Sequence, residues 1–256
     1  MNIFFTDLDN TIIYSHHRKI GKSKVVVEHL DGREQSFMTE FTYGFFSSAD
    51  WLCVVPVTTR TEQQYRRIEC ADRFYLKYAI ICNGGKLLVN GKEDEEWSYH
   101  THLLAQDKYD YLEQATEVLS HLCYNETIHS PEKYMRYVKC SDPEDIYNKL
   151  SKLVNLDKIN VQRDGRKVYL FVNGITKGNA VKRFMENRNF GTILAAGDNL
   201  MDVSMLNMAD IAFADQGIYD LITCRNKMKI EDKLFSDGIC QCIYEMRMKG
   251  TLEEKN

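Results

Sequence analysis

The strongest constraint on this sequence is a set of short, uninterrupted apolar runs, each ending abruptly in polar residues. Ile3-Phe4-Phe5 stops at Thr6-Asp7-Leu8-Asp9, and the run from Trp51 to Val57 stops at Thr58-Thr59-Arg60. The run from Tyr78 to Cys82 stops at Asn83-Gly84-Gly85, and Thr192 to Ala196 stops at Gly197-Asp198. Runs of this length without polar alternation fit strands buried on both faces, as in a parallel sheet covered by helices. Helical patterns lie between them, so the expected class is α/β: a Rossmann-like, mainly parallel core with helices on both sides. Ligands in such sheets bind beyond the carboxyl ends of the strands. Asp7, Asp9, Thr58 and Asp198 all fall at such ends, and Lys177 opens a helix that can face the same crevice.

That inventory has a definite chemistry. In an extended backbone Asp7 and Asp9 point to one side, and ionising two carboxylates so close together is costly unless a cation or a proton is shared. The set supplies carboxylates for a hard divalent cation, and a hydroxyl and an ammonium for an anion. An oxygen-rich set of this kind suits Mg²⁺ better than zinc, and a phosphate could use every group. Thr58 has a second reading as the cap of a helix from about Glu62 to Cys70. His16 and His17 have no acid or cysteine at metal-ligand spacing and fit a solvated loop.

The 256 residues suffice for a core domain and a smaller one. Residues 84–172 change character, with more tyrosine and charge. They read as strands around two helices, one from about Leu103 to Leu122 and one from Pro143 to about Val154. The expected division is a catalytic core of 1–83 and 173–256 with an inserted α+β domain of 84–172. Val25 to Phe37 reads as a hairpin turning at Asp31-Gly32, a flap beside the acids that follow the first strand. A net charge of −4 gives no basic field for nucleic acid or anionic membrane. No apolar segment approaches the roughly 20 residues of a membrane helix, and no basic leader precedes Asp7. The eight cysteines lack the spacing of a zinc site or a secreted framework and read as reduced thiols of a cytoplasmic protein.

Asp7-Leu8-Asp9-Asn10-Thr11, Thr58, Lys177 in Thr-Lys-Gly-Asn-Ala, and Gly197-Asp198-Asn199-Leu200-Met201-Asp202 together resemble, in order and spacing, the four motifs of the haloacid dehalogenase (HAD) superfamily. The insert, Asn83-Gly84-Gly85 and Ser236-Asp237-Gly238-Ile239 resemble more narrowly its Cof-like, type-IIB phosphatases. The resemblance implies a HAD core with a type-II cap over the pocket. It implies a Mg²⁺-dependent phosphatase of a small phosphorylated metabolite, a sugar phosphate by preference, acting as a monomer or small homo-oligomer. On it, Asp7 is the nucleophile that becomes an aspartyl-phosphate, and Asp9 is the acid and base. Thr58, Thr59 and Lys177 hold the phosphate. The metal is held by Asp7, the backbone carbonyl of Asp9, Asp198 and Asp202, the last either as a ligand or as a support that orients Lys177.

Three positions depart from the pattern. Asn10 and Thr59 stand where glycine is usual, and Met201 stands where type-IIB members carry asparagine. Within the insert Lys133, Arg136, Arg163 and Tyr169 are candidates for substrate contact, with solvated or structural roles as the competing reading. Two other functions stay open at this level: a phosphotransferase resembling phosphomannomutases, and a non-catalytic sensor of a phosphometabolite, the latter motivated by Met201.

Overall fold

The computed structural model describes residues 1–69, 74, 76–231 and 234–252. In chain order the elements are β1 (Asn2–Thr6), β2 (Tyr14–Ser15), β3 (Lys24–Leu30), β4 (Arg33–Thr39), α1 (Glu40–Ser48), β5 (Leu52–Pro56), α2 (Glu62–Tyr65), β6 (Tyr78–Ile81), β7 (Lys86–Val89) and β8 (Lys92–Glu93). There follow α3 (Glu95–Ala105), α4 (Tyr109–Leu122), β9 (Ile128–Glu132), β10 (Met135–Lys139), α5 (Pro143–Leu153), β11 (Ile159–Asp164) and β12 (Lys167–Val172). The chain closes with α6 (Lys177–Met185), β13 (Ile193–Gly197), α7 (Val203–Leu206), β14 (Ile211–Ala214), β15 (Asn226–Lys229) and α8 (Phe235–Met248). Among the described residues no helix is long and apolar enough to cross a membrane.

The chain forms two compact units, 1–93 with 177–256, and 94–176. The first is built on a five-stranded parallel sheet ordered β15-β14-β13-β1-β5. Its first strand shows why the apolar run does not alternate. Phe4 stacks on Phe46 of α1 and meets the edge of Phe213, while Phe5 meets the edge of Phe184 on α6. Both faces of β1 are therefore buried, which is what a helix-covered parallel strand requires.

Register then fixes the site. Thr6 pairs with Ala196 on one side and with Pro56 on the other, so the carboxyl ends of β13, β1 and β5 finish level. With strands about 4.8 Å apart, the residues that follow them are near neighbours. The chain passes from β1 to β5 on one side and later to β13 on the other, which makes this the switch point where open α/β sheets bind ligands.

Several expectations change. The segment after Thr61 makes only the single turn of α2, capped reciprocally by Thr61 and Gln64, before Ile68 bridges to Glu28. Cys70 lies outside the described residues. The third apolar run, β6, pairs antiparallel with β7 in a separate three-stranded sheet and meets the end of the parallel one at the Val57–Ile80 bridge. The hairpin of β7 and β8 accordingly belongs to the first unit, so the units divide at 93/94 and 176/177 instead of 83/84 and 172/173.

In the second unit a four-stranded antiparallel sheet, β11-β12-β10-β9, packs against α4 and α5. The helix expected from about Leu103 to Leu122 is broken: residues 106–108 make a tighter turn, and Leu104 is exposed while Leu112, Ala115 and Leu119 are buried. Helix α5 begins as its sequence dictates, with Asp142 accepting from the Asp145 N–H and Pro143 in the first turn.

Two glycines test this packing. A Cβ on Gly178 would lie 2.4 Å from the Ser204 carbonyl oxygen, so α6 approaches α7 only because residue 178 has none. Nothing lies within 4 Å of a Cβ on Gly44 in α1. Gly178→Ala is expected to lower unfolding free energy by about 1–3 kcal/mol. Gly44→Ala should raise it by about 0.5–1 kcal/mol. Urea denaturation of the two variants measures both.

Candidate active site

Lys177 is the buried centre of the site. Its side chain is 1% exposed, and its Nζ donates to Asp7 Oδ1 and to Asp202 Oδ1, both at 2.6 Å. Asp7 follows β1, Asp202 lies in the turn after β13, and Lys177 opens α6, so one ammonium ties three separated segments together. A buried ammonium is tolerated only when paired, and removing one partner of such a pair costs about 3–5 kcal/mol.

The turn after β13 is built to present its acids. Asp202 Oδ2 accepts from the backbone N–H groups of Asp198 and Asn199, each at 3.0 Å, which satisfies donors that the strand end leaves open. The close fit of Gly197 against Asp202, where a Cβ would meet the Asp202 side chain at 2.3 Å, shows why glycine precedes Asp198. Asp198 in turn accepts at Oδ1 from Thr11 Oγ1 at 2.8 Å, so the threonine that ends the first motif orients the acid of the last. Met201 is buried, and its N–H is donated to Asn199 Oδ1, so the turn closes without an amide side chain at 201.

Carboxylate oxygens of Asp7, Asp198 and Asp202 lie within 4.8 Å of one another. This all-oxygen set, three acids against one ammonium, fits a hard divalent cation and lacks the nitrogen and sulfur donors that zinc selects. Its electrostatics are those of a site short of positive charge. Burial pushes the Asp7 carboxyl well above the usual range; Lys177 pulls it down, and repulsion from Asp202, Asp198 and Asp9 pushes it up again. Burial would lower Lys177, but Asp202 and Asp7 hold its ammonium above the ordinary lysine range.

Thr58 is buried beyond β5. Its N–H goes to the Ile80 carbonyl, its carbonyl accepts from the Asn83 N–H, and its Oγ1 accepts from the Arg60 N–H at 3.1 Å. The hydroxyl therefore caps Arg60, while Thr61 caps α2. Cys82 and Asn83, at φ 54° and 59°, bend the chain back so that the Cys82 N–H reaches the Arg60 carbonyl. Asn10 adopts the left-handed conformation its glycine-like position demands, at φ 62°, whereas Thr59 is not among the positive-φ residues and is half-buried.

Asp9 does not join the acid cluster. Its side chain is 47% exposed, and both carboxylate oxygens accept from Arg60: Nε to Oδ2 at 2.8 Å and Nη2 to Oδ1 at 2.7 Å. The sequence reading gave Arg60 no role. Its position next to the motif threonines was the available signal, and the partner that makes the role visible is far away in sequence. His16 and His17 are exposed, with their rings in tilted contact at 3.8 Å between centroids, as expected of a solvated loop.

In the second unit Arg136 is buried and donates to the carbonyls of Glu132 and Met135 and to Glu113. Tyr169 is buried between Tyr137 and Phe171. These two of the four candidates are spent on the unit's own packing. Lys133 is exposed, and Arg163 is half-buried near Glu144. The described cysteines are free thiols, with Cys240 and Cys242 of α8 differing in burial.

A five-stranded parallel sheet with acids beyond the adjacent ends of two strands defines a class, and comparison with solved structures finds the same fold. The chain resembles the sucrose-phosphatase of Synechocystis sp. PCC6803, solved with sucrose and phosphate, at TM-score 0.60 and 15% identity over 96% of this chain and 97% of that one. It resembles SMU.1108c from Streptococcus mutans UA159 at TM-score 0.63 and 10% identity, covering 96% and 98%. It resembles the HAD subclass IIB sugar phosphatase BT4131 at TM-score 0.57 and 14% identity, covering 98% and 99%. No curated protein matches. The family model of haloacid dehalogenase-like hydrolases matches residues 61–216, more than half of the chain, and the chain belongs to that family. The match includes Lys177, Asp198 and Asp202 and begins after Asp7, Asp9 and Thr58.

The raised Asp7 carboxyl gives a signed prediction. The folded protein holds this proton more tightly than the unfolded chain, so the group costs stability increasingly as pH rises above the unfolded value of about 4. In metal-free protein the stability of Asp7→Asn relative to wild type should therefore rise from pH 4 to neutral pH, on top of the pH-independent cost of its weaker contact with Lys177. Thermal denaturation in chelator across that range measures the difference.

Proposed function

We propose that this hydrolase is a Mg²⁺-dependent phosphatase of a small phosphorylated metabolite, with a sugar phosphate as its substrate class, working through an aspartyl-phosphate on Asp7. The observation that carries the reading is the buried Lys177 ammonium between Asp7 and Asp202, with Asp198 alongside, beyond the level ends of β1 and β13. The sucrose-phosphatase and sugar-phosphatase functions of the structural neighbours support the substrate class.

In this mechanism an Asp7 carboxylate oxygen attacks phosphorus, the bond from phosphorus to the leaving oxygen breaks, and its electron pair stays on that oxygen, which takes a proton from Asp9. Water then attacks phosphorus and gives its proton to Asp9. The phosphorus–Asp7 bond breaks, releasing inorganic phosphate and restoring both acids. Each Asp9 oxygen accepting from Arg60 keeps a second lone pair for this proton. Lys177 holds Asp7 in place and offsets phosphoryl charge, and Thr58 with Thr59 completes the phosphate contacts. Asp7, the Asp9 carbonyl and Asp198 would hold Mg²⁺, which when bound neutralises charge on the transferring phosphoryl group. Asp202 has one oxygen on Lys177 and the other on two backbone N–H groups, which favours its role as the support of Lys177.

A phosphate-release screen over sugar phosphates, polyol phosphates and nucleotides tests the reading. Wild type with Mg²⁺ should release phosphate from at least one sugar phosphate, chelator should abolish release, and Asp7→Ala should reduce it to background. Asp9→Asn should slow turnover by about 10²–10⁴-fold. Isomerised phosphosugar without free phosphate would identify a mutase, and equal inertness of wild type and Asp7→Ala across the panel would contradict the proposal.

A further inference from the structure

Glu28 is buried at 1% exposure, in the middle of β3, on a hairpin that none of the motifs includes. A buried carboxylate survives only with partners, and Glu28 has three. Its Oε2 accepts from Arg60 Nη2 at 3.0 Å and from Ser36 Oγ at 2.6 Å, and its Oε1 accepts from Arg67 Nε at 2.9 Å. Burial alone would raise this carboxyl, but Arg60, Ser36 and Arg67 bring it below its ordinary value, so it is held as the anion.

The arginine it contacts is itself fixed from three directions. Arg60 binds Asp9 through Nε and Nη2, Glu28 through Nη2, and the Gln64 carbonyl through Nη1 at 3.3 Å. A two-point guanidinium contact sets the plane of a carboxylate as well as its position. Asp9 is half exposed and follows a strand end, and this contact holds both of its oxygens. The hairpin is in turn pinned to the Arg60 segment: the Glu69 N–H reaches the Val27 carbonyl, and Glu28 bridges Ile68.

We infer that Glu28 is a positioning residue for the phosphatase reaction: by seating Arg60 it orients the Asp9 carboxyl toward the leaving oxygen of the substrate. The inference rests on the phosphatase reading, in which Asp9 protonates that oxygen. It makes the β3–β4 hairpin part of the machinery that acts on the leaving group.

Leaving-group dependence separates positioning from mere support of the fold. Protonation matters for a poor leaving group and little for a good one, so kcat/KM is measured for phenyl phosphate and para-nitrophenyl phosphate with Mg²⁺. The variants are Glu28→Gln, Arg60→Lys and Asp9→Asn, with melting temperature as the folding check. Glu28→Gln should lower kcat/KM for phenyl phosphate by about 10- to 100-fold and for para-nitrophenyl phosphate by only about twofold. Arg60→Lys keeps the charge but loses the two-point contact, so it should show the same selectivity and stands in should Glu28→Gln not fold. Equal losses on both esters in Glu28→Gln and Arg60→Lys, with Asp9→Asn selective, would overturn the positioning role alone. An unselective Asp9→Asn would instead remove the acid role of Asp9, and the inference with it.

Discussion

The structure depends on one buried ammonium. Lys177 lies where β1, the turn after β13 and the start of α6 meet, and its pairing with Asp7 and Asp202 is satisfied only if all three are in register. Breaking a buried pair costs about 3–5 kcal/mol, a large share of the 5–15 kcal/mol by which domains are stable. The level strand ends, the close approach of α6 to α7 at Gly178 and the tight Gly197–Asp202 contact all serve that junction. The same junction leaves the acid cluster short of positive charge. Stability and chemistry are therefore opposed at Asp7, as expected of a site preorganised for a ligand that brings the missing charge.

Beside it stands a second polar network with a different task. Asp9, Arg60, Glu28 and Arg67 alternate in sign from the half-exposed end of β1 to the hairpin, and Thr58 caps the backbone of Arg60. The two networks divide the acids that the first strand presents: Asp7 goes to the buried cluster and Asp9 to the guanidinium. Two carboxylates one residue apart thus occupy distinct environments, which is the usual condition for giving neighbouring acids different roles.

The parallel core could be read from sequence because its strands are buried on both faces, and continuous apolar runs record that directly in Phe4, Phe5 and their counterparts. Asp7, Asp198, Asp202 and Lys177 could be read as one cluster because strand ends converge wherever the sheet is parallel. What escaped depended on contacts between segments far apart in sequence. The separate sheet of β6 was hidden because an apolar run does not say which strand it pairs with, and β15 because Asn226–Lys229 is polar for a strand. The break at residues 106–108 was hidden by helix-forming residues on both sides. Glu28 and Arg60 carry no signal of their own in the sequence, since a buried charge is recognisable only with its partner.

The central claim is that Asp7 takes the phosphoryl group. The direct measurement is rapid acid quench of wild type with Mg²⁺ and an accepted phosphate ester, followed by intact mass and peptide mapping. The account predicts a transient species heavier by one phosphoryl group, on the peptide bearing Asp7, and its absence in Asp7→Asn. A phosphorylated species formed equally in Asp7→Asn, or mapped to another residue, would contradict it.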